Sequence, residues 1–513
     1  MFKPLYVSSR SITLEMTNND IFYASTEYNV YVDDVLFRAN IKTNVVSLFG
    51  LKPGHEYNIR IHDYSIHVKT AFESASLNVK DFGAVGDGKK DDTLAIQTAI
   101  HACPKNGRIL IEKGIYHVCP LFMKNDITIE LEKEAILLGD TDRSNYPILP
   151  GQIIHSNGTV FELSNWEGKP NPTFASIITG IKVKNVHLIG EGIIDCNAQN
   201  GDWWVDHKKM IGGAYRPKGV FLTNCENIHL QGLTIMNTPS WNLHPYFSQN
   251  IDFLDLKLIS PKDSPNTDGC NPESCFRVNI IGVDFSVGDD CIAIKSGKFE
   301  MGMKYRVPSE KITIRNCHMA YGHGAVVLGS EMSGGIKDLE VRQCFFEKTD
   351  RGLRIKTRRG RGESAIIDGI VFENIRMDNV LTPFVMNMYY FCDEDGKTEY
   401  VWSKEIHPVD DRTPYLGSFT FKNIVCTNAH VAAGFFYGLP EMPIESISLE
   451  NVEIKFGEET ISGVPAMMSY LEPMSRSGLI FRNVNQVSIN NLNIENYLGD
   501  PIIMENVKKF IEK

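Results

Sequence analysis

From residue 186 onward one phrase keeps returning: apolar, polar, apolar, as in Ile-x-Leu or Val-x-Ile, usually beside an asparagine. Its anchors are Val186, Ile228, Ile251, Val278, Ile312, Leu339, Ile370, Phe419, Ile447 and Val487. The steps between them are 42, 23, 27, 34, 27, 31, 49, 28 and 40 residues. Alternation with a period of two marks strands, and no helical phrase falls between them. Strand phrases at this spacing predict a right-handed parallel β-helix, an all-β fold in which each period is one coil. Uneven steps suit that fold, because extra residues loop out at corners without disturbing the stacked strands. Leucine-rich repeats share the period but need a Leu/Asn pattern that is absent. Two long steps stand out: one holds Trp203-Trp204 and Arg216-Pro217, the other residues 390–417, rich in Tyr and acids.

Residues 1–74 have another texture. Short alternating segments such as Ile12-Thr13-Leu14, Tyr28-Asn29-Val30-Tyr31-Val32 and Tyr57-Asn58-Ile59-Arg60-Ile61 read as strands between polar turns. Leu51-Lys52-Pro53-Gly54-His55-Glu56-Tyr57 places a tyrosine just after a Pro-Gly turn. It resembles the tyrosine corner of a fibronectin type III sandwich. The expected organisation is a small fibronectin type III-like β-sandwich over 1–74 and the β-helix over 77–513. Near the start of the second unit, Asp91-Asp92-Thr93 offers cap oxygens to a helix carrying Leu94, Ile96, Ala99, Ile100 and Cys103. A helix there would cover the first strand edge.

At 513 residues, 42% apolar and 22% charged, the chain has ordinary globular composition, with room for an elongated domain and an accessory module. No run approaches the roughly 18 apolar residues of a membrane span, so no membrane partner is expected. The opening Met1-Phe2-Lys3-Pro4 leads into no apolar signal core, and eleven scattered cysteines read as small buried hydrophobes. Both point to a cytoplasmic protein. A net charge of −11 argues against nucleic acid. An acidic ligand would need a local cationic patch, and Lys348, Arg351, Arg354, Lys356, Arg358, Arg359 and Arg361 supply the one candidate.

Four polar motifs fall inside the repeat: Asn266-Thr267-Asp268, Gly288-Asp289-Asp290, Gly322-His323-Gly324 and Arg354-Ile355-Lys356. Asp268, Asp289, His323 and Arg354 are separated by 21, 34 and 31 residues, close to the coil period. Stacked coils lie about 4.8 Å apart, so these groups share one surface. Alternation sends Ile355 to the core and both flanking cations outward. Gly288 permits a bulge that turns Asp289 and Asp290 to the same side. Glycoside hydrolysis needs one protonated carboxyl and one ionised carboxylate, which crowded aspartates supply. Taken singly, the motifs read more readily as a turn, two solvated loops and a strand face. Together, in this order, they read as a site.

The set resembles the polygalacturonases of glycoside hydrolase family 28, over roughly residues 77–500. Val79-Lys80-Asp81-Phe82-Gly83-Ala84, Gly190-Glu191-Gly192-Ile193-Ile194-Asp195 and Ser240-Trp241-Asn242-Leu243-His244-Pro245 add to the likeness. The resemblance implies Asp289 as general acid and Asp268 with Asp290 activating water, giving inversion without a covalent intermediate. It implies that His323 supports the acid and that Arg354 and Lys356 hold galacturonate. Asn266, Trp241 and His244 are expected at the substrate, as is a tyrosine that falls at Tyr389, with Tyr390 beside it. No metal or cofactor is implied. The expected substrate is pectic galacturonan or its oligomers; a homo-oligomer is left open. A sandwich ahead of the β-helix is similar to some bacterial exo-acting members, and the two long steps could close one end of the groove. Exo cleavage is therefore the expectation. The alternatives are an endo-polygalacturonase, a rhamnogalacturonan or xylogalacturonan hydrolase, a calcium-dependent pectate lyase, and a non-catalytic β-helix binding protein.

Overall fold

A computed structural model describes residues 1–513. At the N-terminus, two antiparallel sheets face each other. One joins Phe2–Val7, Ile12–Met16 and Val45–Leu48; the other joins Val35–Thr43, Tyr23–Val32, Glu56–Ile61 and Tyr64–Lys69. Tyr28, Val30 and Val32 point inward with Ile12, Leu14, Leu48, Ile59 and Ile61, a core separate from the rest. The Tyr57 hydroxyl accepts the Lys52 N–H at 2.7 Å, closing the Pro-Gly turn onto the strand.

From Ser76–Asn78 to Ile502–Glu512 the chain winds into a stack of parallel strands, with a few helices and two short antiparallel pairs, Ile148–Leu149 with Thr173–Phe174 and Gln152–Ile154 with Val160–Glu162, outside it. All ten anchor residues lie in a single ladder, each paired with the next in order. None is more than 1% exposed. The asparagine beside the phrase also has a cause. Asn185, Asn227 and Asn250 take φ of 55°, 57° and 55°, the left-handed corner that asparagine tolerates. Their amides then bond coil to coil, Asn250 to Asn227 and Asn227 to Asn185 at 3.1 and 3.0 Å. A second such ladder joins Asn374, Asn423, Asn451 and Asn491.

The helix Thr93–Ala102 buries Ile96, Ala99 and Ile100 in the main core. Leu94, expected on that buried face, is 78% exposed, because it lies off the stripe those three define. Asp92 does not cap: its carboxylate accepts the Val85 and Gly86 N–H groups instead, while Asp91 takes the Thr93 N–H.

A second face of the β-helix carries the polar motifs. Its inward row is Leu243, Cys270, Ile292, Val326, Leu353 and Phe384, one residue per coil. Three residues further along each strand, an outward row reads Tyr246, Glu273, Lys295, Gly329, Lys356 and Asn387. The sandwich docks elsewhere, through Glu15 on Arg315 (2.5 and 2.9 Å) and Asn316 (2.8 Å), and through Gln231 bonded to Ser11 and Thr13 at 2.6 Å each.

Candidate active site

The aspartates stand at the corners that feed the motif-bearing face, and backbone hydrogen bonds stack those corners. Asn242 N–H donates to Asp268 O, Gly269 N–H to Asp290 O, Cys291 N–H to Gly324 O and Ala325 N–H to Arg351 O, at 2.7, 3.0, 2.8 and 2.8 Å. Asp289 and Asp290 occupy a bend between Asp284–Ser286 and Ile292–Ile294. Strand alternation does not apply in a bend, so both reach the same cavity without the bulge the sequence suggested.

That cavity holds about 610 Å³. It is lined by Asp268, Asp289, Asp290, His323, Arg354 and Lys356, with Asn266 and Trp241 at its margin. Ile355 is fully buried while Arg354 and Lys356 face out together. Arg354 Nη1 lies 3.3 Å from Asp290 Oδ1, and Lys356 Nζ 2.6 Å from Oδ2. Burial alone would raise the Asp290 carboxyl, but these two cations hold it well below its usual range. Asp268 goes the other way. Burial, then the negative charge of Asp289, push it up to about 8, so it keeps a proton at neutral pH. Asn271 donates to Asp268 Oδ2 at 2.9 Å. His323 Nδ1 meets Asp350 at 2.8 Å, a hydrogen bond that raises the imidazole above its ordinary value.

Two predicted site residues do not reach the cavity. His244 is sealed behind Trp241, edge-on to its ring at 4.7 Å, with Nε2 3.0 Å from Glu273. Burial lowers it well below its usual value, so it is a neutral wall residue. Tyr389 points into the core and its hydroxyl donates to Gly438 O at 3.2 Å; Tyr390 is the tyrosine that faces the cavity. The cationic run divides as well. Arg351, Arg354 and Lys356 line the cavity, whereas Arg358, Arg359 and Arg361 are buried against residues 390–417 and beyond. Arg358 binds Asp395 at 2.6 Å, Arg361 binds Asp393 at 2.5 Å and Arg359 binds Glu441 at 2.5 Å.

Several cavity residues carry no sequence motif. Lys295 pairs with Glu331 at 3.0 Å, and its ammonium lies 4.6 Å from the Trp241 ring centre. Lys298 pairs with Asp393 at 3.0 Å, Lys208 with Glu167 at 2.5 Å. Arg216, from the first long step, donates to Pro239 O, Pro265 O and Asn266 Oδ1 at 2.5, 2.8 and 2.7 Å. It clamps the turn that leads into Asp268. Outward phase in the strand Ile292–Ile294 would have pointed to Lys295; the other pairs join segments too distant for any local signal.

A raised and a depressed carboxyl, set with fixed cations in a groove of a parallel β-helix, match the pair that glycoside hydrolysis requires. The chain belongs to the family described as Glycosyl hydrolases family 28, whose model matches residues 123–469, and it is a glycoside hydrolase. It is 28% identical over 477 residues to a probable polygalacturonase of Vitis vinifera, covering 90% of this chain and 92% of that one. It is 25% identical over 557 residues to an exo-poly-alpha-D-galacturonosidase of Dickeya chrysanthemi, covering 94% and 86%. The family 28 exopolygalacturonase of Yersinia enterocolitica shares the fold, with a TM-score of 0.72 and 20% identity over 100% of this chain and 98% of that one.

Proposed function

We propose that this protein hydrolyses α-1,4-galacturonosyl linkages of polygalacturonate and its oligomers, with inversion, from a chain end. The observation that carries the reading is the division of labour among the aspartates. Asp290 is kept ionised by Arg354 and Lys356 and activates the attacking water. Asp289, half-buried at the cavity face, delivers the proton to the leaving oxygen. Asp268, expected from the sequence beside Asp290 at the water, instead holds the cluster's spare proton, chiefly because it is buried and then because Asp289 lies beside it, and passes it to Asp289 for delivery. His323 orients the acid, its backbone N–H on Asp289 O at 3.2 Å. Arg354 and Lys356 turn part of their charge to a galacturonate carboxylate when it arrives.

Chain-end action is supported by the walls. Both long steps contribute to the cavity, Lys208 from one and Cys392 with Asp393 from the other, and Glu167 joins Lys208. The Dickeya relative, matched over most of both chains, bears an exo-acting name. The N-terminal sandwich, read as fibronectin type III-like, has the role of a docked support. Timed products on polygalacturonate test the mode. Steady release of one small product from the first minutes supports it, and an early ladder of mixed oligomers would overturn it.

A further inference from the structure

Both terminal nitrogens of Arg354 are engaged in the folded chain. Nη1 meets Asp290, and Nη2 is in contact with the thioether sulfur of Met467, which also lines the cavity. Met467 belongs to a third segment over the site, residues 457–476, between Ile444–Phe456 and Ser477–Glu495. With Met467 in place Arg354 is only 8% exposed, so a carboxylate reaches Nη2 once that side chain has swung aside.

The backbone around Met467 is pinned. Asn387 Nδ2 donates to Met467 O at 3.0 Å, and Arg351 donates to Val464 O and Pro465 O at 2.8 and 3.1 Å. Pro465, Ala466 and Met468 are buried on either side, while Met467 itself is half-buried. The part free to swing is the side chain, with the three rotatable bonds of a methionine. Because a thioether is a weak acceptor, an arriving carboxylate displaces it readily from the guanidinium.

We propose that Met467 is an oxidation site: converted to its sulfoxide by a hydroperoxide, it holds Arg354 and shuts the substrate out. One oxygen atom passes to Sδ; the S–O bond forms as the O–O bond breaks, and sulfur gives up two electrons. The other peroxide oxygen takes the proton and leaves as water or an alcohol. On the same flexible arm, the sulfoxide oxygen is a strong acceptor and takes a charge-assisted hydrogen bond from Nη2. Substrate must then compete for the guanidinium. No other methionine lines the cavity, and Met386 and Met388 on the next coil are fully buried. This inference rests on the reading of Arg354 as a ligand of the galacturonate carboxylate.

The test treats the protein with limited hydrogen peroxide, then with a thiol that restores reversibly oxidised cysteines such as Cys392 at the cavity wall. Peptide mass spectrometry should find the added oxygen on Met467. KM for polygalacturonate rises by about tenfold or more while kcat stays within about threefold, as expected when binding alone is opposed. Methionine sulfoxide reductase restores the starting KM. In Met467→Leu the same treatment changes KM by less than about twofold against its own untreated sample. Met467→Gln, whose amide oxygen is an acceptor at similar reach, raises KM without peroxide and serves if the leucine variant does not fold. Equal losses in wild type and Met467→Leu, a sulfoxide at 467 with unchanged KM, or no oxygen at 467 would overturn the inference and leave the galacturonan reading intact. Failure of the untreated protein to hydrolyse polygalacturonate would overturn that reading first, and this inference with it.

Discussion

Lys356 donates to Asp290 Oδ2 at 2.6 Å from two coils away, across the coil that carries Gly324. A Cβ at 324 would meet Val327 Cγ2 at 2.4 Å and touch Asp290 Oδ1 and the Arg354 Cβ at 3.5 Å, so glycine suits the close stacking beside the ion pair. Because the pair is buried, its charges are poorly screened and set the titration of the site.

Removing that cation should move the acid limb of the rate profile. The folded Asp290 carboxyl is depressed, so it stays ionised until the pH falls far below the ordinary aspartate range. In Lys356→Met it protonates earlier. The acid limb of kcat/KM then shifts up by about one pH unit or more, in line with the loss of an opposite charge at contact distance.

Asp268 leads to a stability prediction of opposite sign. Its folded carboxyl, at about 8, lies above the roughly 3.9 of an unfolded aspartate. Between those values the folded chain binds a proton that the unfolded chain does not. Stability therefore falls as the pH rises through that window. Asp268→Asn removes the liability. Denaturant unfolding should find the variant more stable than wild type at pH about 8, with the gap narrowing toward pH 5.

Asp289 is less buried than the other two aspartates and takes little part in the fold's internal pairing. Asp289→Asn should lower kcat by about 10²–10⁴, the usual worth of a general acid, with an unchanged melting temperature. Unaltered sugar release would remove it from the mechanism.

The docking of the sandwich depends on Glu15, 3% exposed, against Arg315 and Asn316. Glu15→Ala strands Arg315 and should cost about 2 kcal/mol. That is below the roughly 3–5 kcal/mol of a fully buried pair, because Arg315 keeps contact with water. Since the contact lies away from the cavity, kcat should hold.

The β-helix was legible because two local signals coincide at every coil. Strand alternation marks the inward residue, and an asparagine marks the left-handed corner beside it, as at Asn227 ahead of Ile228. The aspartates were legible for the same reason, since coil spacing makes sequence distance a measure of spatial distance. Phase is lost where a strand ends. Thr382–Asn387 stops before the two tyrosines, and nothing local says that Tyr390 rather than Tyr389 turns outward. Arg358, Arg359 and Arg361 resemble Arg354 in sequence, but their partners lie 32 to 82 residues on. Only the folded chain shows that they anchor a loop and leave the substrate to others. Trp241 and His244 sit in one short phrase, yet burial separates the cavity wall from the residue behind it.

The anomeric form of the first product tests the central claim, a water activated by Asp290 attacking opposite the group protonated by Asp289. Proton NMR of trigalacturonate in the first minutes of reaction should show the β-anomer of the newly formed reducing end, which later mutarotates. Release of the α-anomer first, or of an unsaturated sugar, would contradict the account.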